Sequence, residues 1–470
     1  MNNIEQIYTN CLAQGAYFVE SEGEAFVIDP LRETEPYIQR AQEKGVKIKY
    51  IFETHFHADF VSGHIDLAKK TGATIVYGPS AKTDFDIHTA TDGEEFKIGK
   101  LTLKVLHTPG HTPESSTFLL IDENGKEHCI FSGDTLFIGD VGRPDLAQKA
   151  TGLTQDDLAG WLFDSLRNKI MTLPDDVIVY PAHGAGSSCG KNMSSETWDT
   201  LGNQKKTNYA LRADMTKAEF IKEVTDGLAT PPQYFSLNAG LNKKGYGSFD
   251  DAMTRGLKAH SVEAFKKLTA NDDVMILDVR ERWDFVNGYV PGSVFIGLDG
   301  GFAPWVGALI TDIKQKIAIV APVGREEEAV KRLARVGYDF AVGYLDGGYE
   351  AWKKSGETSD VIESIKVEDF VKGNINKKII DVRKPGEYDA THLCGAINTP
   401  LDDFASNNTD TIDKDKHYFV HCRSGFRSTI ASSILKNRGI KNIVNVIGSF
   451  DIIKDSMLEI EGSCPSLLAV

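Results

Sequence analysis

The run Thr54-His-Phe-His-Ala-Asp-Phe-Val-Ser-Gly-His64 places His55, His57 and Asp59 within five residues, directly after the apolar run Ile48–Phe52. Imidazole and carboxylate are ligands for a transition metal, and alternation on a tight strand-to-loop segment lets such side chains converge on one point. Three later segments repeat the arrangement. His107-Thr-Pro-Gly-His111 follows Leu101–Leu106, Ser132-Gly-Asp134 follows Cys129–Phe131, and Tyr180-Pro-Ala-His183 follows Val177–Val179. Each sets a candidate ligand just past a β-rich run, where Gly or Pro forces a turn. Separate strand ends can deliver imidazole and carboxylate to one edge of a rigid scaffold, and the chemistry so implied is metal-assisted. Beyond His183 runs Gly184-Ala-Gly-Ser-Ser-Cys189-Gly-Lys191, whose small residues let backbone approach a ligand closely. There Lys191 can meet a substrate carboxylate, and Cys189 is either a relay thiol or a plain buried one.

A second chemistry is encoded far downstream in Phe419-Val-His-Cys422-Arg-Ser-Gly-Phe-Arg427-Ser428, which reads as a strand, a loop and the start of a helix. A cysteine in that position sits over a helix N-terminus, where backbone N–H groups and the dipole favour an anion. Arg423 and Arg427 add positive charge, so the sulfur is suited to act as a nucleophile and to carry a persulfide. A phosphatase would set five residues between Cys and Arg; only four separate Cys422 from Arg427, a tighter cradle that suits a single sulfur atom.

These residues need strands to position them. Ala16–Val19 and Ala25–Ile28 read as a hairpin, and Gln155–Leu173 as a helix with Leu158, Trp161, Leu162 and Leu166 on its apolar face. Residues 231–257, with Pro231-Pro232, Asn238, Gly240, Gly245 and Gly247, read as a linker that wraps over a neighbouring domain. Beyond it the sequence repeats: Ile276-Leu-Asp-Val-Arg280 matches Ile379-Ile-Asp-Val-Arg383, and Leu345-Asp-Gly-Gly-Tyr349 matches Val446-Ile-Gly-Ser-Phe450. Strands alternate with helices in each copy, which implies parallel-sheet α/β units at 258–357 and 360–470. In the first copy Ala321 falls opposite Cys422, and Glu326 to Glu328 put negative charge where an anion would be cradled. That copy is expected to be inactive, a spacer or docking surface.

Composition is that of an ordinary globular protein. The 470 residues are 41% hydrophobic and 25% charged, and 52 basic against 67 acidic residues leave a net charge of −15, which disfavours nucleic acid and anionic membranes as partners. No apolar run approaches the roughly 18 residues of a membrane span. The opening residues lack a signal-peptide layout, and six scattered cysteines without CxxC pairs read as free thiols in a cytoplasmic protein. Association into a homo-oligomer is left open.

Residues 1–230 resemble the metallo-β-lactamase superfamily, in which the run HxHxDH is followed by a later His, Asp and His. The resemblance implies an N-terminal αββα sandwich ahead of the two parallel-sheet domains. It departs at Phe60, where that superfamily has its second-metal histidine, and the loss favours a mononuclear centre. Within the superfamily the chain is most similar to persulfide dioxygenases. That likeness implies one Fe(II) per chain held by His55, His111 and Asp134, with His57, Asp59 and His183 behind them. It places Arg143 near the thiol substrate, although a salt bridge to Asp145 is the alternative. The two C-terminal copies resemble the rhodanese family in Asp381-Val-Arg-Lys-Pro-Gly-Glu-Tyr388, in His392-Leu-Cys-Gly-Ala396 and in the Cys422 loop, with Cys394 expected to be a packing residue. The order of domains resembles bacterial persulfide dioxygenase–rhodanese fusions of sulfide detoxification. The expected activity is oxidation of a low-molecular-weight persulfide by O2 to sulfite, with Cys422 exchanging sulfane sulfur between sulfite and thiosulfate. A glyoxalase-II-like zinc thioesterase fused to a sulfurtransferase and a non-enzymatic sulfane-sulfur sensor are the rival readings.

Overall fold

The computed structural model of the chain describes residues 3–148, 152–228, 230–373, 378–406, 409, 412–456 and 458. Two compact units account for it. One takes residues up to Phe249 together with Ala334–Gly337, and the other runs from Asp250 onward without those four.

In the first unit two six-stranded sheets face each other. The first sheet has strands β1 (Ile4–Thr9), β2 (Gln14–Ser21), β3 (Glu24–Ile28), β4 (Lys47–Glu53), β5 (Thr74–Tyr77) and β6 (His88–Thr89), hydrogen-bonded in that order. The second has β7 (Glu95–Ile98), β8 (Leu101–His107), β9 (Ser116–Ile121), β10 (Glu127–Gly133), β11 (Ile178–Pro181) and β12 (Asp199–Thr200), also neighbours in chain order. The expected hairpin is the β2–β3 pair, with Tyr17 opposite Ile28. Three apolar cores define the layering. Tyr17, Phe26, Phe52, Phe96, Phe118 and Phe131 fill the space between the sheets. The helix Glu35–Lys44 covers the outer face of the first sheet through Tyr37 and Ala41. Helices Gln155–Ser165 and Lys217–Thr225 cover the second through Leu158, Leu162, Phe220 and Val224. The architecture is therefore the α/β sandwich of four layers anticipated from the sequence.

Two local expectations change. The helix that begins at Gln155 passes at Leu166–Ile170 into a π turn, and Trp161, placed on its apolar face, is 38% exposed. Rotation of about 100° per residue carries position 161 to the flank of the 158–162–166 stripe, so only those leucines reach the core. The stretch 231–257, read as a linker, holds the helices Tyr234–Lys244 and Phe249–Gly256.

The second unit contains two five-stranded sheets, and every strand pair in them is parallel. The strands β13 (Ala259–His260), β14 (Val274–Asp278), β15 (Val294–Phe295), β16 (Lys316–Val320) and β17 (Ala341–Leu345) are ordered β13-β17-β16-β14-β15. The strands β18 (Ser364–Lys366), β19 (Lys378–Asp381), β20 (Ile397–Asn398), β21 (Tyr418–His421) and β22 (Ile443–Ile447) give the same order, β18-β22-β21-β19-β20. The internal repeat is thus a repeat of fold. In each copy the repeated motif ends its strand with a buried Asp–Arg pair, Asp278–Arg280 at 2.7 Å and Asp381–Arg383 at 2.6 Å. Cys394 is disulfide-bonded, against the expectation of free thiols and simple packing; bridging needs Cα atoms within roughly 7 Å, a proximity that scattered cysteines do not reveal in sequence. Cys11, Cys129, Cys189 and Cys422 are free. Among the described residues no helix is long and apolar enough to cross a membrane.

Phe52 is fully buried and its ring lies 5.1 Å from Phe118, 5.2 Å from Phe96 and 5.6 Å from Phe26. Phe52→Ala is therefore expected to cost ~3–5 kcal/mol in urea unfolding of the first unit, and Phe52→Leu much less. A loss under ~1 kcal/mol for the alanine variant would show that this aromatic cluster is not the core that holds the sheets together.

Candidate metal centre and cysteine loop

The candidate ligands all emerge at the C-terminal ends of strands. His55, His57 and Asp59 follow β4, His111 follows β8, Asp134 follows β10, and His183 follows β11. One close approach joins the two sheets there. Gly133, the last residue of β10, has φ 55°, and a Cβ on it would lie 2.6 Å from the Thr54 Cβ. Only glycine lets Asp134 and His55 be delivered side by side.

His55, His111 and Asp134 are at most 2% exposed and their ligand atoms lie within 4.8 Å of one another. Nε2 of His55 is 3.8 Å, and Nε2 of His111 3.5 Å, from Asp134 Oδ2. The opposite side of each ligand is fixed. His111 Nδ1 is 2.8 Å from the carbonyl oxygen of Arg143, which can only accept, so Nδ1 carries the proton and Nε2 a lone pair. Thr54 Oγ1 donates to Asp29 Oδ2 at 2.8 Å and so accepts from His55 Nδ1 at 3.0 Å, which frees His55 Nε2 in the same way. Asp134 Oδ1 takes a hydrogen bond from His183 Nδ1 at 2.8 Å, whereas Oδ2 is buried without a hydrogen-bond partner. Two imidazole lone pairs and an orphaned carboxylate oxygen facing one point are a donor set that a divalent cation would satisfy.

Electrostatics point the same way. Burial, reinforced by His57, pushes the His55 imidazole well below its ordinary value, so it is neutral and ready to ligate. Burial works against charge on Asp134 too, but His183, raised and hydrogen-bonded to it, outweighs burial and holds the carboxyl below the usual range. Burial opposes the charged form of His183, yet Asp134 and Asp59 raise it well above its ordinary value. Asp59 Oδ2 lies 2.9 Å from His183 Nε2, giving an Asp59–His183–Asp134 chain behind the trio.

His57, Asp59 and His183 also form a compact buried group. The Phe60 ring, fully buried, lies 4.4 Å from the His57 ring. His57 Nε2 is turned to Asp29 Oδ1 at 3.1 Å and to Glu53 Oε2 at 3.7 Å. Glu53 in turn is 3.2 Å from His64; burial pushes the Glu53 carboxyl up and the His64 imidazole down to about 3. Sequence reasoning did not single out Asp29, Glu53, Thr54 or His64. Asp29 could have been found, since it too follows a strand, β3.

The remaining predicted residues divide. Cys189 is buried and lies with Asp134 and His183 in one group; burial and the carboxylates of Asp59 and Asp134 push its thiol well above the ordinary value. Arg143 grips Asp145 with two bonds of 2.6 and 2.8 Å and donates to Ser188 O at 3.2 Å, while its own carbonyl orients His111. Lys191 is not brought to the trio. Its Nζ binds the carbonyl oxygens of Glu223 and Asp226, at the end of the helix Lys217–Thr225. A lysine there is favoured by the unsatisfied carbonyls of a helix C-terminus. One support was invisible in the sequence. The side chain of Asn242, fully buried, donates to the carbonyls of His57 and Phe60, both at 2.8 Å, and accepts from Ser62 N at 2.9 Å. Three of the ligand-loop backbone groups are thereby held from the stretch read as a linker.

In the second unit Cys422 ends the path from β21 into the helix Phe426–Asn437. It is 2% exposed, and Gly425 N donates to its Sγ at 3.1 Å. Gly425 has φ 95° and its Cβ would meet Ile447 Cγ2 at 2.7 Å, so the loop closes only around glycine. Arg427 is paired with Glu387 at 2.6 and 2.9 Å, and Arg423 is exposed in the same loop. In the other copy the equivalent Ala321 is buried and carries no sulfur.

Comparison with known proteins is consistent with this layout. The metallo-beta-lactamase superfamily matches residues 10–183 and the rhodanese-like domain matches 261–355 and 367–455. Persulfide dioxygenase ETHE1, mitochondrial, of Homo sapiens is 36% identical over 162 residues, which cover 34% of this chain and 59% of that protein; the match thus spans less than two thirds of that relative. Hydroxyacylglutathione hydrolase GloC of Haemophilus influenzae is 29% identical over 216 residues, covering 41% of this chain and 96% of that protein. The crystal structure of a metallo-beta-lactamase from Staphylococcus aureus superposes with a TM-score of 0.64 at 32% identity, covering 73% of this chain and 98% of that one.

A Cβ on Gly142 would run into the Asp134 carbonyl oxygen and come within 2.9 Å of His111 Nδ1. Gly142→Ala is accordingly expected to weaken metal binding by roughly 10–100-fold, the range for disturbed outer partners of a ligand. Competition with a chelator reads this directly, and unchanged affinity would show that the backbone behind His111 and Asp134 does not set their positions.

Proposed function

Because the chain belongs to the metallo-β-lactamase superfamily and continues into two rhodanese-like copies, we propose that it is a non-haem Fe(II) persulfide dioxygenase coupled to a sulfurtransferase. The observation that carries this reading is the trio His55, His111 and Asp134, with Asp134 Oδ2 buried and unpartnered while Phe60 closes the neighbouring position. His55 Nε2, His111 Nε2 and Asp134 Oδ2 are the atoms that would hold one iron. When bound, Fe(II) in a two-His, one-carboxylate set with open positions supplies activation of O2 beside a sulfur ligand. The balance is R–SSH + O2 + H2O giving R–SH, sulfite and two protons.

The chain's own residues do the rest. Thr54 and the Arg143 carbonyl keep both imidazoles in the ligating tautomer, and His183, charged between Asp59 and Asp134, keeps the carboxylate ionised. The Arg143–Asp145 pair and the Ser187–Cys189 turn, linked through Arg143 N to Cys189 O at 3.0 Å, border the trio on the side where a thiol substrate would enter. In the second unit the Cys422 thiolate takes the outer sulfur of a second R–SSH, releasing the thiol R–SH, and then gives it to sulfite, forming thiosulfate and regenerating the thiolate. One S–S bond breaks, another forms, and no oxidant is needed. The loop N–H of Gly425 and the start of the helix Phe426–Asn437 stabilise the sulfur anion on both sides of that exchange. Soluble placement in the cytoplasm and a role in sulfide detoxification belong to the same proposal.

A second reading, a thioesterase of the glyoxalase II type, draws on the similarity to the hydroxyacylglutathione hydrolase and on the buried group His57, Asp59 and His183. Oxygen uptake separates the two, since hydrolysis consumes none.

Asp134→Ala removes one of three ligands and should abolish bound iron and O2 uptake with added persulfide, while thiosulfate:cyanide transfer persists. Full iron content in that variant would overturn the ligand assignment. Cys422→Ser keeps the loop's shape but carries no sulfur, so it should abolish thiosulfate:cyanide exchange, leave O2 uptake in place and shift the product ratio from thiosulfate toward sulfite. An unchanged ratio would sever the proposed coupling even if each activity stands alone.

A further inference from the structure

The helix that begins at the Cys422 loop is also where the inactive copy docks. Ser433 Oγ accepts from Phe295 N at 3.0 Å, and Asn437 Nδ2 donates to Gly292 O at 3.0 Å, so the edge strand β15 is fastened along the helix Phe426–Asn437. The Phe295 and Phe426 rings lie 5.7 Å apart, and a Cβ on Gly300 would press into the Phe426 ring. At the loop end Arg282 donates from NH1 to the carbonyl oxygen of Ser424 at 3.2 Å. Between the copies opens a cleft of about 380 Å³, walled by Arg282, Asp299 and Trp305 on one side and Ser424, Phe426 and Arg427 on the other.

The charged groups around this cleft differ in how fully their partners engage them. Asp299 is taken by Arg325 through two bonds of 2.7 and 2.9 Å. Arg427 is taken by Glu387 through bonds of 2.6 and 2.9 Å. Arg282 has a neutral carbonyl and, at 3.7 Å, only a loose approach to Glu281. Its guanidinium is the wall group with donors to spare, and it stands against the loop that contains Cys422. A guanidinium fork matches the oxygens of a small oxyanion, and the half-buried Trp305 offers a flat apolar wall beside it.

We propose that the middle copy, which has Ala321 where its twin has Cys422, completes the sulfur-transfer site: Arg282 and Trp305 bind a small sulfur oxyanion, sulfite or thiosulfate, in the cleft beside the Cys422 loop. The inference rests on the sulfurtransferase reading. It assigns the inactive copy a ligand-binding part, in place of a spacer's, and explains why that copy can lose its cysteine yet keep a fitted face. The bound anion is the partner of the exchange already balanced above, so no further reactant enters.

The test uses the full-length chain with Cys422→Ser, which blocks turnover, and thiosulfate as the probe in isothermal titration calorimetry. Adding Arg282→Gln should raise the dissociation constant roughly tenfold or more, the usual scale for a lost charge-assisted hydrogen bond, whereas Arg282→Lys should retain part of the affinity. Equal affinity in Arg282→Gln overturns the proposal. So does equal weakening in Arg282→Lys, which would make Arg282 a docking residue and not an anion ligand. The parent chain is assayed in parallel for cyanide-dependent turnover of thiosulfate. Absence of turnover together with Arg282-dependent binding would overturn the transferase reading and support the cleft as an anion site.

Discussion

A buried carboxylate with one oxygen held by an imidazolium and the other facing two lone pairs offers an unsatisfied acceptor that a cation would complete. Asp134 is in that position, and the first unit is arranged around it. Leaving such an oxygen unpaired in a low-dielectric interior costs several kcal/mol, so the fold is under pressure to bind an ion there. The close contact of Gly133 with Thr54, the Arg143 carbonyl behind His111 and the Asp59–His183 pair behind Asp134 all serve to hold that one oxygen where it is. A carboxylate kept ionised and imidazoles kept neutral are what metal capture requires, since ligands must shed protons first.

Phe60 alters the economy of the neighbouring position. Three potential ligands, His57, Asp59 and His183, remain grouped beside an aromatic ring. Each has another engagement: His57 with Asp29, Asp59 with His183, and His183 with Asp134. An ion among these three would have to compete with those contacts. The same side chains thereby stand close behind His55 and Asp134.

Most of the architecture was legible because strand-end signals and the repeat are local. His55, His111, Asp134 and His183 each follow an apolar β run, and the strands did form where those runs predicted. The Cys422 loop was legible for the same reason, as a strand, a small-residue turn and a helix start in ten consecutive residues. What escaped were the partners that come from far along the chain. Asn242 reaches the ligand loop across 185 residues to His57, and nothing in a Gly- and Pro-containing stretch announces a buried amide. Lys191 is drawn elsewhere because a helix end, formed about thirty residues later, offers its ammonium free carbonyls. Trp161 failed on angle, not on polarity. The disulfide at Cys394 and the fitted face between the two C-terminal copies are likewise properties of folded proximity.

The amide of Asn242 has a consequence for modularity. Family boundaries end the catalytic domain at residue 183, and composition ends it near 230, yet the roof over the His57–Ser62 loop hangs from a helix that finishes at Lys244. The segment past residue 230 is therefore part of the scaffolding of the candidate metal centre. Recombination that swapped partners at a neutral-looking seam would take this roof away along with the discarded partner. A chain cut back to the first unit therefore keeps this roof only if it runs through Lys244.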